Sequence, residues 1–261
     1  ITRIHAIQGV GHRSPYEGDQ VSCVTGIVTA VTGHGFYFQD LVEDGDDRSS
    51  EALFVAYSSG NLIKRGDRVF IETATVQEHN PSINQSNSLT ITWLINSSKV
   101  QIVSSQNPLP EPVVIGEAGR NIPNQIIEND VVGYIGKDKG LFDPEEDGMD
   151  FYESLESMYV EVREPLVISS TNRFNEISIV ADNGRNAGLI SDTGAIVIRE
   201  NDFNPERIML DDTFINISKM RLGTKLLSPV RGVIGYDFAN YRLMPIEPLV
   251  YIEENVPEQQ V

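Results

Sequence analysis

The sequence predicts an all-β protein of two OB-fold-like Greek-key barrels, joined by a Pro-rich, acidic linker with a short helix. Three observations carry this. Period-two alternation of apolar residues runs through both halves of the 261-residue chain. The order of alternating runs in the first half recurs in the second. Between them lies the proline-rich stretch NPLPEPVVIG (107–116), followed by the densest run of carboxylates in the chain. An apolar content of 40% beside 22% charged residues is enough for packed cores. No apolar run approaches the ~18 residues a membrane-spanning helix needs.

The first-half strands are expected at VSCVTGIVTAV (21–31), GFYFQD (35–40), ALFVAY (52–57), DRVFIETATVQEH (67–79) and LTITWLI (89–95), with KVQIVS (99–104) as an edge. Gly, Asn, Ser and Asp punctuate them. In the second half MYVEVREPLVIS (158–169) answers the first strand and EISIVAD (176–182) the second. GAIVIRE (194–200) answers ALFVAY, LGTKLLSPVRGVIGYD (222–237) answers the long fourth strand, and YRLMPIEPLVYI (241–252) the last. NGRNAGLISD and NDFNPERIMLDDTFINISK are expected as inserted loops. Five strands in about a hundred residues, with a long first strand, suit the OB design. An immunoglobulin-like sandwich would want about seven strands. Proline cannot donate to a central ladder, so 107–116 is expected to be extended. The predicted division is a first barrel over 1–108, an acidic linker over 109–149 and a second barrel over 150–261. The chain opens ITRIHAIQG, with neither a start methionine nor a signal pattern, and is expected to be a mature or excised fragment.

The net charge of −18 argues against a generic polyanion binder. It is unevenly spread. Residues 111–160 carry 3 basic and 12 acidic side chains, a net −9, which is half of the total. The flanking barrels are only mildly acidic, which leaves room for local basic grooves.

The carboxylate run FDPEEDGMDFYESLE (142–156) partly fits a calcium loop. Asp143, Glu145, Asp147 and Gly148 match its first, third, fifth and sixth places, and Asp150 adds a nearby oxygen ligand. Ser154 stands where the bidentate Glu belongs. Calcium is therefore the candidate cofactor. The structural reading of the same run is a turn and a capped helix. Asp150 would be the N-cap and Glu153 its capping-box partner. Phe151, Leu155 and Met158 would form one apolar face.

Nothing in the sequence marks a catalytic centre. The four histidines, His5, His12, His34 and His79, show no close ligand spacing and are expected on the surface or in turns. Cys23, the only cysteine, excludes a disulfide and is expected as a small core residue. No nucleophile elbow, P-loop or dinucleotide fingerprint occurs. Asp202-Phe203-Asn204 is expected to be a structured loop.

For nucleic acid, OB-folds offer exposed aromatics for base stacking and cations along the backbone track. Tyr37, Tyr57 and Tyr241 are the aromatics expected to be exposed. Lys64, Arg65 and Arg68 are the basic cluster of the first barrel, and Arg231 and Arg242 flank the aromatics of the second.

IHAIQGVGHRSPYEGDQVSCVTGIVTAVTGHGFYFQD, DPEEDGMDFYESLE, DFNPERI and GVIGYDFANYRL follow one another in the chain. Together they resemble the region upstream of the catalytic domain in large secreted bacterial nucleases of the endonuclease/exonuclease/phosphatase superfamily. The resemblance spans about residues 3–245. It implies secretion to the exterior or periplasm, an OB-fold-like first module, and a metal-dependent catalytic domain beyond residue 261. It implies nucleic acid as the parent enzyme's substrate and no catalytic residue within this chain. The expected function is a non-catalytic accessory region that binds single-stranded or flexible nucleic acid, or presents it to the catalytic domain. The alternative is a structural module that packs on the catalytic domain without binding nucleic acid, with calcium as a stabiliser. Neither reading involves a membrane.

Overall fold

The computed structural model describes residues 1–58, 62–81, 88–137 and 140–252. The first unit begins with a short helix, α1 (Ile4–Gln8), which alternation did not reveal. Five strands follow: β1 (Gln20–Val31), β2 (Gly35–Gln39), β3 (Ala52–Ala56), β4 (Arg68–His79) and β5 (Ile91–Ser98). They fall within a few residues of the expected runs. Strands β1–β2, β2–β3 and β4–β5 pair antiparallel, and β3 pairs with β5 in parallel. β1 also pairs with β4, which closes the barrel in the order 1-2-3-5-4. That is the strand order of an OB-fold. β6 (Gln101–Ser104) adds an exposed edge to β4.

Closure bends β1 sharply. Its register shifts between Val28 and Ala30, and such a bulge is how a strand turns a barrel corner. Gly35 lies where β2 presses on β3. A Cβ there would sit 2.0 Å from the Val55 carbonyl oxygen, so only glycine fits. The inward faces supply Val24, Val28, Phe36, Phe38, Leu53, Val55, Ile71 and Leu94, and Ile4 and Ile7 of α1 join the same core. Phe36 and Phe38 are fully buried, each worth about 2–3 kcal/mol by burial. Cys23 departs from expectation. It is only half-buried, has φ 56°, and is skipped in the β1–β4 register between Ser22 and Val24.

The second unit holds β7 (Val113–Ile115), α2 (Gly148–Glu153), β8 (Tyr159–Val162), β9 (Leu166–Val167) and β10 (Ile177–Val180). A 3-10 turn (Asp182–Gly184) precedes β11 (Leu189–Ile190), β12 (Ile196–Val197), β13 (Ile208–Leu210), β14 (Val230–Asp237) and β15 (Asn240–Pro245). The sheet order is β7-β8-β14-β15-β13-β10-β9. β8 and β9 are two parts of one expected strand. Glu164 at φ 42° and Pro165, which has no N–H, interrupt it. Counting them as one, the pairings β9–β10, β10–β13, β14–β15 and β14–β8 are antiparallel and β13–β15 is parallel. These repeat the pairings of the first unit in order and sense.

One correspondence is corrected. GAIVIRE was expected to answer β3, but its strand β12 pairs only with β11 in a separate hairpin. The strand in the β3 position is β13, inside the stretch expected as an insert. The β11–β12 hairpin instead places Ile190 and Ile196 over Leu166, Ile168 and Val180. Within the expected linker, β7 pairs in parallel with β8.

The helix is also shifted. α2 starts at Gly148 with Asp147 in the N-cap position, and no side chain caps it. Asp150 lies inside the first turn, so the expected capping box does not form. Its carboxylate has other partners, described below. Phe151, Leu155 and Met158 do pack together, in one core with Val160, Ile177, Leu210, Ile234 and Leu243. No helix among the described residues is long and apolar enough to cross a membrane.

Candidate functional site

The outward side of β2, β3 and β5 carries a row of rings. Tyr37 meets Phe54 at 4.9 Å between centroids, Phe54 meets Trp93 at 4.6 Å, and His79 stacks on Trp93 at 3.6 Å. In an OB-fold the face of strands 2 and 3 is where oligonucleotides bind. Here the second unit covers it. Val233 and Met244 of the β14–β15 hairpin pack on Ala30, Tyr37 and Phe54, with Phe214 and Ile246 at the margin. Tyr37 is 9% exposed and Phe54 4%, and burial raises the Tyr37 phenol pKa above its ordinary value. The expectation that Tyr37 is exposed is therefore corrected. Alternation identified the outward face but not what rests on it.

The other expected contact residues divide in two. Tyr241 is corrected as well. It stacks on Tyr152 and donates its hydroxyl to Glu153 Oε2 at 2.5 Å. Tyr57 is half-buried against the first core, edge-on to Phe36. Arg231 is held by Glu161 at 2.6 Å. Arg242 is held by Asp211 at 2.5 Å and Glu176 at 3.2 Å, with its guanidinium over the Phe238 ring. These two arginines are already neutralised.

Lys64, Arg65 and Arg68 are exposed, in and just after the connection from β3 to β4. The matching connection of the second unit, from β13 to β14, exposes Lys219, Arg221 and Lys225. Of this second trio only Lys225 falls within LGTKLLSPVRGVIGYD, the stretch expected to answer the fourth strand. Among the described residues, none of the six is ion-paired with a carboxylate. The segment 246–251 touches both connections. Arg65 Nη1 donates to the Ile246 carbonyl at 3.5 Å, and Leu227 N donates to the Val250 carbonyl at 2.7 Å.

A buried polar hub joins the two units at α2. His12 Nε2 lies 2.6 Å from Asp150 Oδ1, and its Nδ1 lies 3.3 Å from Glu153 Oε2. Burial alone would lower the imidazole pKa. Glu153 and Asp150 outweigh it and raise it to about 10, so His12 is an imidazolium. It was expected as a surface or turn residue. Its partners lie far along the chain, so no sequence spacing could reveal them. Glu156 Oε1 accepts from Gln8 Nε2 and from the Thr92 amide, both at 3.0 Å. Burial, then Glu153 and Glu78, push its carboxyl well above the usual range. Further bonds cross between the units. Ser50 Oγ donates to the Glu156 carbonyl at 2.6 Å, and Tyr159 N donates to Gln39 Oε1 at 2.9 Å. The hub contains no activated nucleophile. Its chemistry is that of a clamp.

The four carboxylates expected to form one calcium loop are separated. Asp143 and Asp147 gather with Asp130. Asp150 takes His12 and the Asp143 amide instead. Glu145 is exposed and joins neither group. A cavity of about 480 Å³ opens beside His12, Glu128, Phe142 and Asp150. The loop with Asp202, Asn204 and Glu206 is structured, as expected, and all three side chains are buried. Asp202 pairs with Arg199 at 2.6 Å, and Glu206 Oε1 accepts from the Gly188 amide at 2.7 Å.

Residues 114–254 match the family described as "Domain of unknown function (DUF8508)", a span of more than half the chain. The chain belongs to the DUF8508 family. Almost all of the DUF8508 match is the second unit with its acidic loop, and the first barrel lies outside it. No curated protein matches the sequence. Among solved structures, fission yeast Pot1 with ssDNA aligns at 10% identity and a TM-score of 0.29, covering 94% of this chain and 87% of that one. A deletion mutant of the single-stranded DNA binding protein from Thermus aquaticus aligns at 12% identity and a TM-score of 0.22, covering 92% and 97%. At these scores the assignment of the first barrel rests on its strand pairings alone.

Proposed function

We propose that this chain is a non-catalytic accessory region built of two OB-like units that contacts flexible or single-stranded nucleic acid. The proposed parent is a secreted, metal-dependent nuclease whose catalytic domain lies elsewhere in the protein. The observation that carries the nucleic-acid reading is the placement of exposed cations that form no ion pair among the described residues. Both units carry them at the same topological connection, and both connections flank the segment 246–251. The contact is thus a backbone track of Lys64, Arg65, Arg68, Lys219, Arg221 and Lys225, not base stacking on Tyr37. Lysine and arginine on phosphates release counterions, which makes such binding salt-dependent.

The test is anisotropy of a labelled oligo-dT at low salt. We expect binding that weakens as salt rises, and about a tenfold or greater loss in the triple variant K64E/R65E/R68E. A second reading, the structural module, is favoured by the covered aromatic face. The absence of binding at low salt would support that reading and overturn the first. Phosphodiesterase activity in the purified chain would overturn the non-catalytic assignment.

A further inference from the structure

We propose that Asp130, Asp143 and Asp147 form a calcium site that ties the loop around residues 126–130 to the start of α2. Each offers one carboxylate oxygen, and these oxygens lie within 4.8 Å of one another. Ligands on one calcium ion at 2.3–2.6 Å can be no more than about 5 Å apart, so the spacing suits a single ion.

Three further observations point to a cation as the partner. Asp147 is completely buried, and although its Oδ2 accepts from the Asn129 amide at 3.3 Å, its Oδ1 has no partner. Asp143 Oδ1 is likewise buried without a partner. Among the described residues, no Lys, Arg or His pairs with Asp130, Asp143 or Asp147. A buried carboxylate oxygen without a partner, as in Asp147, is strongly unfavourable unless a proton or cation joins it.

The neighbouring group His12, Glu128 and Asp150 is equally compact. It already holds its cation, because the His12 imidazolium lies between Asp150 and Glu153. The ion is therefore assigned to the aspartates. An all-oxygen donor set selects a hard cation, and calcium tolerates irregular geometry where magnesium requires an octahedron.

The test is thermal unfolding of the whole chain after chelation, with and without millimolar calcium and without nucleic acid. It therefore stands apart from the nucleic-acid reading. We expect calcium to raise Tm by about 5 °C and magnesium at the same concentration to raise it less. Asp147→Asn and the exposed Asp130→Asn should each abolish the rise, while Glu145→Gln should keep it. If Asp147→Asn fails to fold, Asp130→Asn reads the same loss. No rise in the wild type, or a rise that survives in Asp130→Asn, overturns the site. An equal or larger rise with magnesium overturns the choice of calcium.

Discussion

Two groups of carboxylates meet around α2 and are accommodated in opposite ways. Asp150, Glu153 and Glu156 are buried but partnered, by the His12 imidazolium, the Tyr241 hydroxyl, Gln8 and the Thr92 amide. Most of these partners come from the first unit. Asp130, Asp143 and Asp147 gather within the second half alone, and buried oxygens there are left over. The difference teaches that one stretch, FDPEEDGMDFYESLE, serves two purposes. Its later carboxylates fasten one unit to the other. Its earlier ones keep buried oxygens without a partner among the described residues.

The sharpest way to break this contrast is His12→Ala. It leaves Asp150 and Glu153 buried without their cation, and we expect a loss of about 3–5 kcal/mol in urea unfolding. A matching pH effect should appear in the wild type. The His12 contribution is complete below its ordinary value of 6.5 and fades as pH rises toward about 10. Stability that is flat across that range would count against a charged His12.

Glu156→Gln should act more weakly and with the opposite sign. Its raised carboxyl pKa means that the folded state holds a proton that the unfolded state has released. Stability from this group is present below about 4.5 and is lost as pH climbs through the raised folded value. Gln removes that loss and can still accept from Gln8 and Thr92. We expect a gain of about 1 kcal/mol that grows as pH rises above about 4.5, and a gain independent of pH would contradict the account. The smallest effect should be that of Glu145→Gln on the metal-free protein. Glu145 is exposed and outside both groups, so the change should stay within about 0.5 kcal/mol. A larger shift would mean that the two groups are not the only carboxylates that matter.

Much of the fold was legible because alternation is a local property. β1 through β6 fall within a few residues of the expected runs. Alternation failed at GAIVIRE, where an alternating stretch was free to pair with a neighbouring hairpin strand while the short IML of β13 took the central place. The helix was placed a few residues late, because Asp150 looked like an N-cap and is instead fixed by His12. The candidate site was legible only in part. Asp143 and Asp147 were identified together, but Asp130 lay outside the motif, and Asp150 belonged to another group.

The sequence by itself determined the strands of the first barrel and the acidic centre of the chain. These depend on side-chain period and on charge counted along the backbone. Only the tertiary structure decided which aromatics are covered, which arginines are neutralised and which carboxylates stand together. Those are contacts between residues far apart in the chain. A ring on an outward face is exposed or buried according to what folds against it, and a charge is paired or free according to what the other unit brings within a few ångströms.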